Sequence, residues 1–231
     1  MGKIYEEKTL RNRTMVFADR DDAGERLARF IRETLNLQNP LVCAIPAGGV
    51  PAGVRIARSL DARMMLGIVR KVRIPWNPEA GFGAVTWDGR VFLNEALVRG
   101  TGLSQDAVER AIRESREEIR QRQIKFPGNE PSPAIKGSTV IVTDDGLASG
   151  YTMRAAIEAV RSDAPEGIIA AVPTGSARAV SMIGKIVECV VCLNIREGHS
   201  FAVADAYRHW HDLSDAEVLQ YLEAAQEMGR F

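Results

Sequence analysis

The chain has 231 residues, 45% hydrophobic and 26% charged, so it can bury roughly 70% of its unfolded surface and fold without a staple. Thirty Lys and Arg balance thirty Asp and Glu, which removes the global basic footprint that general nucleic-acid binding needs. No apolar run approaches the ~20 residues of a membrane span, and residues 1–10 carry no apolar signal region, so a cytoplasmic protein without a membrane partner is expected.

The spacing of Leu27, Phe30, Ile31 and Leu35, with acids at its start, predicts a helix over 21–35. Arg20, Asp21 and Asp22 read as helix-start chemistry. A short apolar run at 41–45 reads as a strand and ends in Pro46-Ala47-Gly48-Gly49; a helix over 51–60 and a strand over 63–69 follow. Residues 74–83, rich in Pro and Gly, read as a loop. Asp88-Gly89 predicts a hairpin joining 84–87 to 91–93, because glycine tolerates positive φ. A charged helix is expected over 104–125, capped by Ser104 and supported by Glu109/Arg113 and Glu118/Arg122 four residues apart. Residues 126–133 form a turn-rich connector. Strands at 139–143, 167–172 and 186–193 then alternate with helices at 149–161 and 176–183, and a helix over 214–225 capped by Ser214 closes the chain.

Near-continuous apolar strands alternating with helices imply an α/β fold, a five-stranded parallel sheet covered on both faces, with the hairpin beside it. A single domain over 1–231 is expected. Ligands of such sheets bind outside the carboxyl ends of the strands. There are three cysteines, Cys43, Cys189 and Cys192. The last two spell CxxC, but within a buried strand, where residues three apart face opposite sides. Core packing is therefore expected rather than a metal or redox site.

The segment with most chemistry is Val140-Ile141-Val142-Thr143-Asp144-Asp145-Gly146-Leu147-Ala148-Ser149-Gly150-Tyr151-Thr152. A buried strand runs into two carboxylates, then a small-residue turn, then a helix. Adjacent acids are costly to hold together unless something cationic or hydrogen-bonding satisfies them. Ribose hydroxyls can donate to them, and a hydrated Mg²⁺ can neutralise them. The helix N-terminus behind them favours a phosphate; Gly150 lets the backbone approach it, and Ser149 and Thr152 add hydroxyl donors.

This string resembles the signature of the type I phosphoribosyltransferase family: four apolar residues, two acids, two variable residues, and a Ser/Thr- and Gly-rich turn ending in Thr. Softer matches at 17–24, 45–51, 70–89 and 207–218 extend the resemblance over most of the chain, toward a bacterial and archaeal branch of predicted phosphoribosyltransferases. The resemblance implies that Asp144 and Asp145 hold the ribose hydroxyls of phosphoribosyl pyrophosphate and, indirectly, Mg²⁺ as cofactor. It implies that Ala148, Ser149, Gly150, Tyr151 and Thr152 cradle the 5-phosphate. The turn Ala47-Gly48-Gly49 resembles the family's pyrophosphate loop, although relatives often carry a basic residue where Ala47 stands. Lys71, with Arg70 second, is the expected pyrophosphate contact; solvated surface charge is the plain alternative for both and for Arg73.

Residues 75–79 resemble the mobile loop that such enzymes close over the site, and Trp76 is either part of that loop or a dimer contact. Residues 194–231, with Tyr207, Trp210 and His211, form either a small hood over the acceptor or a packed C-terminal segment. His199 and His209 carry no reading of their own. The implied reaction transfers the 5-phosphoribosyl group to a small-molecule, nitrogenous acceptor with release of pyrophosphate. Purine-salvage relatives commonly place an acid where Ala148 stands, so no purine base is named. A non-catalytic sensor of phosphoribosyl pyrophosphate is the second reading, and an unrelated nucleotide-binding sheet protein the third. A homodimer is expected, with the helix over 104–125 in its interface.

Overall fold

The computed structural model describes residues 2–126, 135–198 and 200–231, with residues 78–80 described by backbone alone. Beyond Phe126 the expected connector, like His199, lies outside the described residues. The main sheet has six parallel strands in the order β1 (Lys3–Tyr5), β9 (Cys189–Arg196), β8 (Gly167–Ser176), β7 (Thr139–Thr143), β2 (Pro40–Ala44) and β3 (Arg63–Leu66). Its centre is apolar on both faces, because helices cover both: Val42, Cys43, Ala44, Val140, Ile141, Val142, Ala170, Ala171, Val172 and Val190 are fully buried. Helices α1 (Arg20–Thr34) and α2 (Gly49–Leu60) pack together on one face, with α7 (Asp215–Glu227) beyond α2. Helices α5 (Tyr151–Arg161) and α6 (Ala177–Ile183) pack against β7, β8 and β9.

The order places the site. Strand β2 continues through α2 to β3 on one side, while its neighbour β7 continues through α5 to β8 on the other. The two loops leaving β2 and β7 therefore diverge, and a crevice opens at the carboxyl ends of these central strands.

Three expectations change. The sheet has six strands rather than five: β1 adds to the edge, pairing Ile4 with Val190. It is three residues long and Ile4 is 38% exposed, so it carries almost no apolar signal. The strand expected over 63–69 breaks at Gly67. The Gly67 N–H donates to the Ala44 carbonyl, and a side chain there would come within 2.6 Å of the Cys43 Sγ. The chain then leaves the main sheet as β4 (Val69–Ile74). The loop expected over 74–83 is mostly strand, because β5 (Asn77–Thr86) pairs antiparallel with β4 around a turn at Pro75-Trp76. Bulges between Val72, Arg73 and Ile74 erase the period of two that would have revealed it.

The predicted hairpin is present: β5 pairs with β6 (Val91–Leu93), and Gly89 adopts φ +81°. Helix α3 (Glu95–Thr101), capped by Asn94, has no counterpart among the expected elements. Helix α4 (Gln105–Lys125) is capped by Ser104 as expected and buries Val108, Ala111, Ser115 and Ile119 over β4 and β5. Glu118 turns from Arg122 to Arg70 and Arg73 of β4. Ser214 and Glu217 form a reciprocal capping box at the start of α7. All three cysteines are buried thiols, and burial pushes Cys43 up to about 12 and Cys189 up to about 11. Among the described residues no helix is long and apolar enough to cross a membrane.

Candidate active site

The acid pair stands at the end of β7, where the last paired residue, Thr143, faces Ala44 of β2. The Asp145 backbone N–H donates to the Asp144 carboxylate at 2.9 Å. Asp144 is half-buried, and burial together with the charge of Asp145 raises its pKa well above the usual carboxylate range. Burial also raises Asp145, but Arg20 opposes it through an ion pair, Nε to Oδ2 at 2.9 Å. The pair is thus asymmetric: one acid has a cation of its own chain, the other has a backbone N–H.

The loop after β2 packs onto this pair from the side. Gly49 donates to the Ile45 carbonyl, and the Ile45 N–H donates to Thr143 at 2.9 Å, which locks the loop to the end of β7. The Pro46–Ala47 peptide is cis. No side chain fits at either glycine. A methyl on Gly48 would overlap the Asp145 carboxylate, and one on Gly49 would lie 2.5 Å from the Thr143 carbonyl oxygen and 2.8 Å from the Asp144 Cα. The expected pyrophosphate loop and the expected ribose acids are therefore one surface.

On the other side the chain turns through Gly146 to Gly150 into α5. Leu147 pairs with Gly175 of β8, the Ser176 hydroxyl donates to the Ala148 carbonyl at 2.8 Å, and Gly150 begins the helix at φ +79°. Ala148, Ser149, Tyr151 and Thr152 lie around it, and Tyr151 is 61% exposed. The first N–H groups of a helix have no partner within it, so the start of α5 is suited to a phosphate.

The basic residues of β4 are placed differently. Arg70 Nε lies 3.5 Å from Glu118, and burial and Arg122 lower its pKa. It lines a cleft of about 550 Å³ with Arg122, Lys125, Glu114 and Asp215, whose lining shares only Arg70 with the expected site. The exposed Lys71 side chain extends over Gly81 of β5, where a Cβ would collide with it. Trp76 is 65% exposed at the tip of the β4–β5 turn.

Arg20 is the residue beside the acid pair that sequence reasoning placed elsewhere. The true cap of α1 is Asp19, whose side chain accepts from the Asp22 N–H, so Arg20 is released from helix-start duty. Its side chain, 9% exposed, runs to Asp145 instead. Its Nη1 donates to the His211 carbonyl at 2.7 Å, and its guanidinium lies 3.8 Å from the centre of the Trp210 ring. The signal was available in principle: an acid pair needs a cation, and Arg20 is the arginine within the softer match at 17–24. Tyr207 closes the same corner, donating its hydroxyl to the Asp145 carbonyl at 2.6 Å and packing on Phe17 and Trp210. Tyr207, Trp210 and His211 of the C-terminal segment thus meet Asp145 directly or through Arg20.

Among the described residues no group of three or more His, Cys, Asp or Glu forms a cage for a metal. Mg²⁺ is commonly held by one or two carboxylates plus the phosphates of a substrate, and Asp144 and Asp145 supply that smaller donor set. The residues fit a metal that arrives with a phosphorylated ligand.

Residues 17–206 match the phosphoribosyl transferase domain family. Two Mycobacterium tuberculosis proteins, of strains CDC 1551 and H37Rv, named as candidate phosphoribosyl transferases, are each 34% identical to this chain over 210 residues. The alignments cover 91% of this chain and 47% of theirs, so the chain spans about half the length of these relatives. The crystal structure of TT1426 from Thermus thermophilus superposes with a TM-score of 0.77 at 34% identity, over 90% of this chain and 98% of that one. A family match over most of the chain, with the fold and the acid-and-glycine turn in their expected places, makes the protein a member of the phosphoribosyl transferase domain family.

Proposed function

We propose that the chain transfers the 5-phosphoribosyl group of phosphoribosyl pyrophosphate to a nitrogenous small-molecule acceptor in a Mg²⁺-dependent reaction. The observation that carries this reading is the packing of Gly48 and Gly49 directly on Asp144 and Asp145, beside the N-terminal turn of α5. One crevice then offers a place for each part of the donor. The turn Ala148–Thr152 takes the 5-phosphate, the two acids take the ribose hydroxyls, and the Ala47–Gly49 loop takes the pyrophosphate.

In the reaction the bond from ribose C1 to the pyrophosphate oxygen breaks, its electron pair leaves with pyrophosphate, and the acceptor nitrogen forms the new bond to C1. Bound Mg²⁺ would supply positive charge for the departing pyrophosphate. The chain's own work is positioning: fixing both ends of the donor removes most of the orientational cost, and N–H groups already aimed at the phosphates stabilise charge without reorganising. Lys71 completes the pyrophosphate site. No side chain need act as a nucleophile. Ala148 offers no carboxylate for the acceptor proton, so the acceptor arrives as an anion or loses its proton to another group. The same alanine favours the second reading, a protein that binds the donor and signals without transferring it.

Calorimetry with phosphoribosyl pyrophosphate, with and without Mg²⁺, tests the donor site. Saturable Mg²⁺-dependent binding that Asp144→Asn/Asp145→Asn abolishes is expected; a folded wild type that does not bind ends the proposal. Pyrophosphate release with any member of an acceptor panel separates enzyme from sensor.

A further inference from the structure

Besides the Tyr207 hydroxyl on the Asp145 carbonyl, segment 206–211 is attached to the rest of the fold along two lines. One is backbone pairing: Phe17 donates to Ala206, Arg208 donates to Phe17, and His209 donates to Ala18. The other is Arg20, which joins three parts of the chain with three features of a single guanidinium. Its Nε holds the Asp145 carboxylate, its Nη1 holds the His211 carbonyl, and its face lies under Trp210. A lysine ammonium, a point charge without a planar fork, cannot do all three. Among the described residues its ion-pair partner is Asp145, and it is nearly enclosed, so its charge acts on that carboxylate with little screening.

We infer that Arg20 is a positioning residue that couples the donor site to segment 207–211. It fixes the Asp145 carboxylate by engaging Oδ2, which leaves Oδ1 for the ligand, and it carries any shift of that carboxylate to Trp210 and the His211 carbonyl. Occupancy of the acid pair and the placement of the segment that covers it are then one equilibrium rather than two. By linkage, whatever holds the segment down tightens donor binding to the same degree. The inference rests on the donor site proposed above.

The test uses the full chain labelled with 5-fluorotryptophan at Trp76, Trp87 and Trp210. Trp210→Phe assigns the third fluorine signal. Phosphoribosyl pyrophosphate with Mg²⁺ is titrated while that signal and the heat of binding are recorded. In the wild type the Trp210 signal shifts as the donor binds. Arg20→Met is expected to weaken donor binding by about tenfold or more, as the loss of one partner of a buried charge pair does, and to abolish the donor-induced shift. Arg20→Lys, which keeps the charge and protects the fold, recovers part of the affinity but leaves the Trp210 signal displaced. Tyr207→Phe removes the other contact to Asp145, on its backbone, and retains the Trp210 response. A purely structural Arg20 would lower the melting temperature without separating these variants. Wild-type affinity in folded Arg20→Met, a Trp210 signal indifferent to the donor in the wild type, or an Arg20→Lys protein equal to wild type in both readouts overturns the inference. A wild type that binds no donor sinks the underlying reading first, and that result is read before any variant is made.

Discussion

The crevice between β2 and β7 and the three-stranded sheet β4–β5–β6 both carry charged residues at the edge of the fold, but they hold them in opposite ways. At the crevice Arg20 and Asp145 are largely enclosed, and two glycines press close against the acid pair. On the small sheet Arg70 and Arg73 share Glu118 of α4, a half-exposed arrangement of the kind that adds little stability. Enclosure fixes geometry and makes a site intolerant of added atoms. A shared surface acid neutralises arginines that would otherwise be available to a ligand. The first region should therefore fail abruptly on mutation and the second gradually.

The largest effect is expected at Gly48. Gly48→Ala drives a methyl into the Asp145 carboxylate, and overpacking of this kind costs about 1–3 kcal/mol. In the proposed donor site the displaced group is a ribose contact, so the cost should fall on binding, about 10–100-fold in donor affinity by calorimetry. Backbone φ is ordinary at Gly48, so the fold should survive, and circular dichroism should stay native. Gly49→Ala meets backbone atoms rather than a side chain and should cost more in melting temperature. Equal donor affinity in Gly48→Ala and wild type would mean that the acid pair is not held as the structure has it.

The small sheet gives the next test. Lys71→Ala should weaken donor binding by about tenfold, the worth of one hydrogen bond to a charged group. Arg70→Ala should weaken it by less than about threefold, because Arg70 is drawn toward Glu118 and the α4 cleft. Glu118→Gln should then raise the contribution of Arg70 to donor affinity, in a cycle with Arg70→Ala. The reverse order of the two single variants would assign the pyrophosphate contact to Arg70.

A smaller effect is expected at the phosphate turn. Gly150 sits at φ +79°, and an L side chain there costs about 1–2 kcal/mol. A Cβ would lie 2.6 Å from the end of the flexible Met182 side chain, which can move. Gly150→Ala should thus lower the melting temperature modestly, with a smaller loss of donor affinity than Gly48→Ala; the opposite ranking would place the phosphate turn, not the acid pair, at the rigid centre.

The same contrast explains what the sequence could reveal. The strand, acids, glycine turn and helix of 140–161 are consecutive, so their chemistry was legible residue by residue. Helix caps such as Ser104 and Ser214 act within four residues and were equally plain. What could not be seen were contacts that cross the chain. Arg20 meets Asp145 at a separation of 125 residues, and beyond its place in the softer match at 17–24 nothing near it distinguishes it from a first-turn arginine. The touch of Gly48 on Asp145 joins two loops that were each legible alone, and nothing in either says that they meet. Strands β4 and β5 were hidden for a different reason: glycines and bulges let Lys71 and the β6 backbone pack closely, and the same features read locally as loop.

The asymmetry of the acid pair yields the smallest effect and the one with a sign that can be worked out. Asp144 is held above its unfolded pKa by burial and by Asp145. A carboxyl whose folded pKa is raised favours the native state while protonated, and that contribution is lost as pH rises through the raised value. The ligand-free wild type therefore bears a cost near neutral pH that it does not bear in acid. Asp144→Asn removes the charge and keeps the shape, so its melting temperature should exceed that of the wild type at pH ~7.5. The gap should close as pH falls to about 4, where the wild-type carboxyl is increasingly protonated in both states. The donor affinity of the same variant should fall, since on the proposed reading the ribose hydroxyls and Mg²⁺ lose a charged ligand. Thermal melts across pH, paired with calorimetry, separate the two consequences. A variant less stable than wild type at neutral pH would show that the Asp144 charge is compensated within the fold rather than by its ligand, and would move the functional carboxylate to Asp145 alone.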